Sequence, residues 1–289
     1  MRVWIQAIRP RTLSAGAMPV LLGIGLAYGR GVGKALPAMA ALLGALLIQI
    51  GTNLANDYYD FKRGADTSER LGPPRVTQSG LVPPATVLLA ALLCFGTATV
   101  VGLYLVAVAG WPILALGLLS LLAGFAYTGG PFPLGYLGLG DAFVFLFFGL
   151  AAVAGTYYVQ ANHLSRAVWF AAVAAGSLGT ALLVVNNLRD VATDARAGKR
   201  TLVVRFGTRI ARAEYCALLI VAFLAPAALW ISGLAKAWAL LAVISLPLAL
   251  APVRRVLYRS GADLNPALGE TARLQIAFGM LFALGLWMG

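Results

Sequence analysis

Residues 36–60 read LPAMAALLGALLIQIGTNLANDYYD and join an apolar run to an acidic end. No charged residue occurs before position 57 in this stretch, and a helix needs about 20 such residues to cross the hydrocarbon core of a bilayer. The end of the stretch then supplies Asp57 and Asp60. Because carboxylates are costly in the hydrocarbon centre, this pattern predicts a membrane-spanning helix whose acidic end lies at the bilayer surface.

The rest of the chain has the same apolar character. Of its 289 residues, 61% are hydrophobic and 11% are charged, whereas soluble domains carry about 25% charged residues. The apolar runs are continuous, which favours helices over the short alternating strands of a membrane β-barrel. We therefore predict an all-α polytopic membrane protein with a single domain over residues 1–289 and a central cavity that opens to the cytoplasmic side. The nine predicted spans cover residues 12–29, 36–57, 86–108, 111–128, 139–160, 167–190, 211–232, 235–252 and 271–288.

The basic residues indicate the orientation of these spans. The chain has 22 Lys and Arg against 10 Asp and Glu, and most of the basic residues lie between spans on one side. The exceptions are Arg30, Lys34, Arg166 and Lys236. Cytoplasmic loops are enriched in Lys and Arg, so we predict a multi-pass protein of the cell (inner or plasma) membrane with a cytoplasmic N-terminus. The net charge of +12 is then a topological signal, and no nucleic acid is expected as a partner.

Two polar stripes end the second and sixth predicted spans, within residues 53–66 and 186–200. Each helical residue advances by about 100°, so the members of each stripe fall within an arc of about 100° and share one helix face. The stripes consist of Asn53, Asn56, Asp57 and Asp60, and of Asn186, Asn187, Asp190 and Asp194. Even-numbered spans end on the cytoplasmic side, where all ten acidic residues fall. The two stripes are therefore predicted to face each other there.

Four neighbouring carboxylates need cations to offset their repulsion. Carboxylate and amide oxygens suit Mg²⁺, which often takes its remaining ligands from substrate phosphates. The stripes therefore predict a diphosphate held through Mg²⁺, and about two ions with about three basic side chains balance the charge. The basic candidates beside the stripes are Lys62, Arg63, Arg189, Lys199 and Arg200.

Aromatic rings near the acidic rim can stabilise a cation through their π-faces, and Tyr58, Tyr127 and Tyr136 are the candidates. The single histidine, His163, is predicted on the opposite side, which leaves no Ser-His-Asp arrangement at the rim. Cys94 and Cys216 lie inside apolar runs without metal-ligand spacing. The site is therefore expected to depend on its carboxylates and cations.

Three longer strings carry a family resemblance. They are N-D-Y-Y-D-F-K-R-G-A-D-T from Asn56, G-Y-L-G-L-G-D from Gly135, and N-N-L-R-D-V-A-T-D-A-R-A-G-K-R-T-L-V-V-R-F-G from Asn186. With the paired acidic helix ends, they resemble the UbiA superfamily of intramembrane prenyltransferases, and in particular its dihydroxynaphthoate branch in menaquinone biosynthesis. The resemblance runs from the first span to the loop after the sixth.

The resemblance implies that an allylic polyprenyl diphosphate donates its polyprenyl group to 1,4-dihydroxy-2-naphthoate, with loss of diphosphate and CO₂. It implies that Lys199 and Arg63 grip the diphosphate and that Arg11 orients either the diphosphate or the acceptor carboxylate. The two substrates and membrane lipid are the expected partners, without an obligate protein partner. The implied Mg²⁺ ligands are Asn53, Asn56, Asp57 and Asp60 for one ion and Asn187, Asp190 and Asp194 for the other.

Two alternatives remain open from the residues. One is a prenyltransferase of the same superfamily with another acceptor, such as 4-hydroxybenzoate or a glycerol phosphate lipid. The other is a cation transporter with intramembrane carboxylates. A transporter is expected to have its acids near the bilayer midplane with access from both faces, whereas these acids lie at one rim.

Overall fold

The protein is described here from a computed structural model that covers residues 2–65 and 71–289. Within these ranges every regular element is helical. Asp66, at the end of the first predicted motif, and Glu69 lie outside the described residues. The all-α prediction is therefore confirmed for the described part of the chain.

Most helices follow one another with short connections, and the two long connections are residues 63–83 and 127–139. A π-helical segment, Phe145–Ala151, continues α6 into α7, and 3₁₀ segments at Ala237–Ala249 and Gly261–Leu264 precede α11 and α12. The α-helices are α1 (Arg2–Ile8), α2 (Pro10–Gly29), α3 (Ala35–Lys62), α4 (Pro84–Ala109), α5 (Trp111–Ala126), α6 (Gly140–Val144), α7 (Ala152–Ala161), α8 (Arg166–Arg196), α9 (Leu202–Phe206), α10 (Thr208–Ile231), α11 (Leu250–Tyr258) and α12 (Asn265–Trp287).

The turn between α4 and α5 shows how the sequence sets these boundaries. Gly110 has φ 80°, a left-handed conformation that side chains disfavour, and it alone separates the two helices. Pro112 follows in the first turn of α5, where its missing N–H is tolerated. A single glycine and a proline thus reverse the chain between two apolar helices.

Seven helical segments in the described ranges are long and apolar enough to cross a membrane. They are Pro10–Gly29, Ala35–Lys62, Pro84–Ala109, Gly140–Ala161, Arg166–Arg196, Thr208–Ile231 and Ala237–Tyr258. The fourth predicted span is the shorter apolar helix Trp111–Ala126, and the ninth coincides with α12. The structure therefore supports a multi-pass membrane protein with seven candidate spans, and nine crossings stay a prediction.

Helix α8 lies at the centre of the bundle. Ala167, Ala171 and Ala174 are fully buried, and buried residues occur around the whole helix. A helix that is apolar on all sides belongs in a core, and small side chains let its neighbours approach closely. By contrast, α4 exposes large side chains such as Leu93 and Val100 at its surface, as expected for a lipid-facing helix.

Glycines allow the first and last long helices to touch. At Gly25 and Gly29 of α2, an added Cβ would collide with backbone atoms of Ala283 and Leu286 in α12. A Cβ added at Gly285 of α12 would likewise collide with the backbone of Trp238 in the 3₁₀ segment Ala237–Ala249. Because backbone atoms cannot move aside as a side chain can, these contacts require glycine.

Candidate functional site

The acidic ends of α3 and α8 meet at Lys199, as the sequence predicts for the two stripes. The Lys199 Nζ lies 3.6 Å from Asp60 Oδ1 and 3.6 Å from Asp194 Oδ1. Lys199 follows α8 after the turn at Gly198, which has φ 73°. One ammonium group thus links a carboxylate of the first motif to a carboxylate of the second.

Asp60 has two further polar neighbours. The Tyr136 hydroxyl donates to Asp60 Oδ1 at 2.8 Å, and Arg75 Nη2 lies 3.4 Å from Asp60 Oδ2. Asp60 is buried, and a buried carboxylate is stable as an anion only when it is paired and hydrogen-bonded. Arg75 was not among the candidates from the sequence, because it lies in a loop well after the stripe and no helical spacing relates it to Asp60.

Asp190 is clamped by its neighbour in the chain. Arg189 Nε and Nη2 donate to the two oxygens of Asp190 at 2.8 and 2.5 Å, a bidentate contact that fixes both side chains. The same guanidinium reaches Asn186 Oδ1 at 2.8 Å and Asn265 Oδ1 at 3.3 Å. Arg189 therefore joins the α8 motif to the start of α12.

Asp57 has partners that its position in the stripe does not predict. Its carboxylate accepts hydrogen bonds from the backbone N–H groups of Val76, at 3.3 Å, and Thr77, at 3.2 Å. Asp57 is 1% exposed and does not line the polar cavity that lies between the acidic ends of α3 and α8. In this structure the carboxylate anchors the 75–82 segment, and its assignment as a Mg²⁺ ligand stays a prediction.

Asn53 is similarly engaged in holding the N-terminal segment. Its Nδ2 donates to Ile8 O at 2.8 Å and to Thr12 Oγ1 at 2.9 Å, while its Oδ1 accepts from Gln49 Nε2 at 3.3 Å. The backbone oxygen of Asn53 accepts from Arg9 Nη2 at 3.1 Å. Metal binding by Asn53 also stays a prediction, and it would compete with the contact to Gln49.

Several predicted residues lie outside the cavity lining. Arg63 Nη2 donates to Gly130 O at 2.6 Å, and Arg63 Cζ lies 5.3 Å from the Tyr136 ring centroid. Lys62 lies 5.9 Å from the ring centroid of Tyr58. Arg11, in the first turn of α2, and Arg200 are exposed. Lys62, Arg63, Arg189, Arg200, Arg11, Tyr58 and Asp57 do not line the polar cavity.

The other predicted residues line one polar cavity of about 200 Å³. They come from α3, from α8 and its following turn, and from the 127–136 segment. They are Asn53, Asn56, Asp60, Tyr127, Tyr136, Asn187, Asp190, Asp194 and Lys199. The lining also includes Arg9, Gln49, Arg75, Thr128 and Asn186, which were not predicted from the sequence as substrate or metal ligands. Asn186 belongs to the second predicted stripe, so its position on the helix could have predicted it as a lining residue.

A second, apolar cavity continues from the polar one. It has a volume of about 240 Å³ and lies between α3, α4, α5 and the Gly140–Ala161 segment. Gln49, Thr52, Tyr127, Val144 and Phe148 line both cavities, so the two spaces adjoin. Together they can hold a molecule with a charged head at the acidic rim and a long apolar tail among the helices.

The donor set of the polar cavity suits a hard cation. Asp60, Asp194 and Asn187 present carboxylate and amide oxygens, which Mg²⁺ prefers, and Asp190 and Asn56 add oxygens that also accept from Arg189 and Thr128. Among the described residues, no three Asp, Glu, His or Cys side chains are close enough to form a complete metal site. Mg²⁺ commonly uses one or two carboxylates and takes further ligands from water and phosphate, so this set fits that mode.

The helical membrane fold and the paired cavities define a class of protein, namely an intramembrane enzyme for a substrate with an anionic head and an apolar tail. A model of the UbiA prenyltransferase family matches residues 16–286. The chain belongs to this family.

Curated relatives and a solved structure agree with this assignment. The chain is 39% identical over 289 residues to a 1,4-dihydroxy-2-naphthoate octaprenyltransferase of Mycobacterium tuberculosis, covering 99% of this chain and 97% of the relative. It is 36% identical over 299 residues to the enzyme of that name in Escherichia coli K12, covering 99% and 96%. A UbiA homolog from Archaeoglobus fulgidus, solved with DMAPP and Mg²⁺, has the same fold with a TM-score of 0.62 at 15% identity, covering 96% and 98% of the two chains.

Proposed function

We propose that the protein transfers a polyprenyl group from an allylic polyprenyl diphosphate to 1,4-dihydroxy-2-naphthoate, releasing diphosphate and CO₂. The observation that carries the proposal is the polar cavity, with Lys199 between the two acidic motifs, opening into an apolar cavity. The choice of acceptor is supported by relatives of 36% and 39% identity that carry this activity in their names.

The charges of the polar cavity support binding of the diphosphate with Mg²⁺. In the described residues, its charged lining consists of Asp60, Asp190 and Asp194 against Arg9, Arg75 and Lys199, a nearly neutral set. A diphosphate carrying about three negative charges therefore needs added cations in a buried site. Asp60, Asp190 and Asp194, with Asn56 and Asn187, would hold Mg²⁺, and two ions would offset the diphosphate with about one positive charge in excess. When bound, Mg²⁺ supplies Lewis-acid stabilisation of the negative charge on the leaving diphosphate.

The residues of the chain account for the remaining steps. Lys199 exchanges one of its carboxylate partners for a phosphate oxygen, and Arg75 adds a second positive charge at the same end. The allylic C–O bond breaks with its electron pair on the diphosphate, and the ring of Tyr127, which lines both cavities, lies beside the space where the allylic cation forms. The electron-rich face of Tyr127 stabilises this cation, whereas the Tyr136 ring already faces Lys199 and Arg63.

The acceptor needs no strong base from the protein. The ring carbon that bears the carboxylate attacks the allylic cation and forms the new C–C bond. The bond to the carboxylate then breaks, CO₂ leaves, and its electron pair restores the aromatic ring. Positioning of the ring against the cation is therefore the main demand on the protein.

The apolar cavity accommodates the polyprenyl tail. Leu116, Phe147 and Val159 are among its lining residues, and each buried CH₂ group contributes about 0.8 kcal/mol to binding. We propose that the reaction takes place at the cytoplasmic side of the cell membrane, because the polar cavity lies beside the basic segments that the positive-inside rule assigns to the cytoplasm.

The direct test uses the purified protein in detergent with a polyprenyl diphosphate, 1,4-dihydroxy-2-naphthoate and Mg²⁺. We expect prenylated product and CO₂ in equal amounts, and loss of both when EDTA removes the metal. The same assay with 4-hydroxybenzoate is the acceptor control. Prenylation of 4-hydroxybenzoate in place of the naphthoate would reject the proposed acceptor, and product formation that persists in EDTA would reject the metal requirement.

A further inference from the structure

Gln49 of α3 lies where the polar and apolar cavities adjoin. Its side chain lines both cavities and is 6% exposed. Gln49 lies one helical turn before Asn53, between the polar stripe of α3 and the apolar cavity. The proposed mechanism assigns no role to this residue.

A chain of hydrogen bonds fixes which end of the Gln49 amide faces Asn53. The carbonyl of Ile8 can only accept, so Asn53 presents Nδ2 to it, at 2.8 Å. Asn53 Oδ1 is then an acceptor, and Gln49 presents Nε2 to it at 3.3 Å. The carbonyl of Ile8 therefore determines the orientation of the Asn53 amide and, through it, that of the Gln49 amide. Gln49 Oε1 is then the amide atom that has no partner in this chain of hydrogen bonds.

Gln49 Oε1 is buried, and no group among the described residues donates a hydrogen bond to it. A buried acceptor without a donor is unfavourable, and a ligand hydroxyl that displaces the atoms packed over this oxygen would supply the missing donor. An ionised diphosphate has only acceptor oxygens, and a polyprenyl tail has no polar hydrogen. Of the proposed substrates, only the aromatic acceptor, through its two ring hydroxyls, offers a donor.

We propose that Gln49 binds the aromatic acceptor, with Oε1 accepting a hydrogen bond from one ring hydroxyl. The inference rests on the proposed function and assigns an acceptor-specificity residue to it. The location agrees with the chemistry, because the ring must lie between the diphosphate end and the tail cavity to meet the allylic carbon. A site built to bond a hydroxyl also rejects analogues that lack it, since the buried acceptor is then left unpaired.

The test measures acceptor dissociation constants by equilibrium dialysis, without prenyl diphosphate, so that no turnover occurs. The ligands are 1,4-dihydroxy-2-naphthoate and its two analogues that each lack one hydroxyl. In the wild-type protein, removing the hydroxyl that faces Gln49 should weaken binding by about 10- to 100-fold. Equal binding of all three ligands by the wild-type protein would overturn the proposal, and this arm needs no variant.

The variant arm uses Gln49→Met, which keeps the length of the side chain and removes the acceptor atom Oε1 together with the Nε2 donor to Asn53. We expect the affinity for 1,4-dihydroxy-2-naphthoate to fall by about tenfold or more. The variant should then bind the dihydroxynaphthoate and its two analogues with similar dissociation constants. The KM for the prenyl diphosphate should stay within about twofold. Unchanged affinity ratios between the ligands would overturn the proposal and would indicate that a water molecule occupies the position.

Gln160→Met is the matched control. Gln160 is also a buried glutamine on a helix, but both ends of its amide are paired, to Thr156 O and to Lys34 N. This variant should leave the ratios between the three ligands unchanged, and convergence of the ratios in it would overturn the assignment to Gln49. The proposed function fails separately, if the wild-type protein gives no prenylated naphthoate at all.

Discussion

Lys199 is the single side chain that contacts both acidic motifs, as far as the described residues show, and its ammonium lies 4.9 Å from the Tyr136 ring centroid. Lys199→Met keeps the length of the side chain and removes the charge. We expect kcat/KM to fall by about 10²- to 10³-fold, as when a single charge-stabilising donor is lost from an active site. Steady-state kinetics in detergent provide the measurement.

Lys236→Met is the control for this prediction, because Lys236 is exposed and lies far along the chain, before the 3₁₀ segment. It should retain full activity. A Lys199→Met enzyme with normal kcat/KM would show that the contact between the motifs serves the resting structure alone.

Asp57 and Asp60 should respond differently to the same substitution. Asp57→Asn leaves a weaker acceptor for the N–H groups of Val76 and Thr77, and we expect a loss of about 1–3 kcal/mol in the free energy of unfolding. Asp60→Asn should instead abolish turnover with a smaller effect on stability, since Asp60 lines the polar cavity. Thermal unfolding and activity, measured on both variants, distinguish a structural role of Asp57 from a catalytic one. If Asp57→Asn is inactive at unchanged stability, Asp57 is a metal ligand, as its position in the stripe predicts.

Helical periodicity predicts which residues share a face, and the shared rim predicts that the two stripes face each other; Asp60, Asp190 and Asp194 from these stripes line one cavity. Periodicity does not predict which way a side chain turns within that face. The orientation of Asp57 depends on a loop about twenty residues further along, and the position of Arg75 depends on the same loop. Such contacts between distant segments have no periodic signature in the sequence.

At the scale of the elements, the apolar runs predicted the location of the helices well and their ends less well. α3 continues to Lys62 and α8 to Arg196, beyond the predicted ends at 57 and 190. Polar residues extend these helices because their side chains find partners, as Asp60 does in Tyr136. The π-helical and 3₁₀ segments were not predicted, since hydrophobic patterning alone does not distinguish these geometries from a regular α-helix.

The π-helical segment packs against α8 through two glycines. A Cβ added at Gly149 would lie 2.6 Å from Gly176 Cα and 2.7 Å from Ala172 O, both backbone atoms. We expect Gly149→Ala to lower the free energy of unfolding by about 1–3 kcal/mol through overpacking. The measurement is chemical or thermal unfolding in detergent.

Gly96→Ala serves as the matched control. Gly96 is interior to α4, and an added Cβ meets no described atom within 4 Å. The substitution should stabilise the helix slightly, by up to about 1 kcal/mol. Equal effects of the two substitutions would mean that the close contact of the π-helical segment does not constrain the bundle.

At the scale of the whole molecule, the basic residues predict one orientation of the protein in the membrane. We expect a Lys236→Cys variant, in a background of Cys94→Ser and Cys216→Ser, to react with a membrane-impermeant maleimide in intact cells. Arg209→Cys should react only after permeabilisation, because the bias of basic residues places it in the cytoplasm. Both positions are exposed. Labelling of Arg209→Cys from outside would reverse the proposed orientation.

The contact between α2 and α12 has a consequence for biosynthesis. α2 leaves the ribosome well before α12, and glycines bring the backbones of the two helices together. Until α12 enters the bilayer, the surface around Gly25 and Gly29 must face lipid or a membrane chaperone. Closure of this contact therefore waits for the synthesis of α12, and a nascent chain that stalls before Asn265 should be recognised by quality-control proteases as an open intermediate.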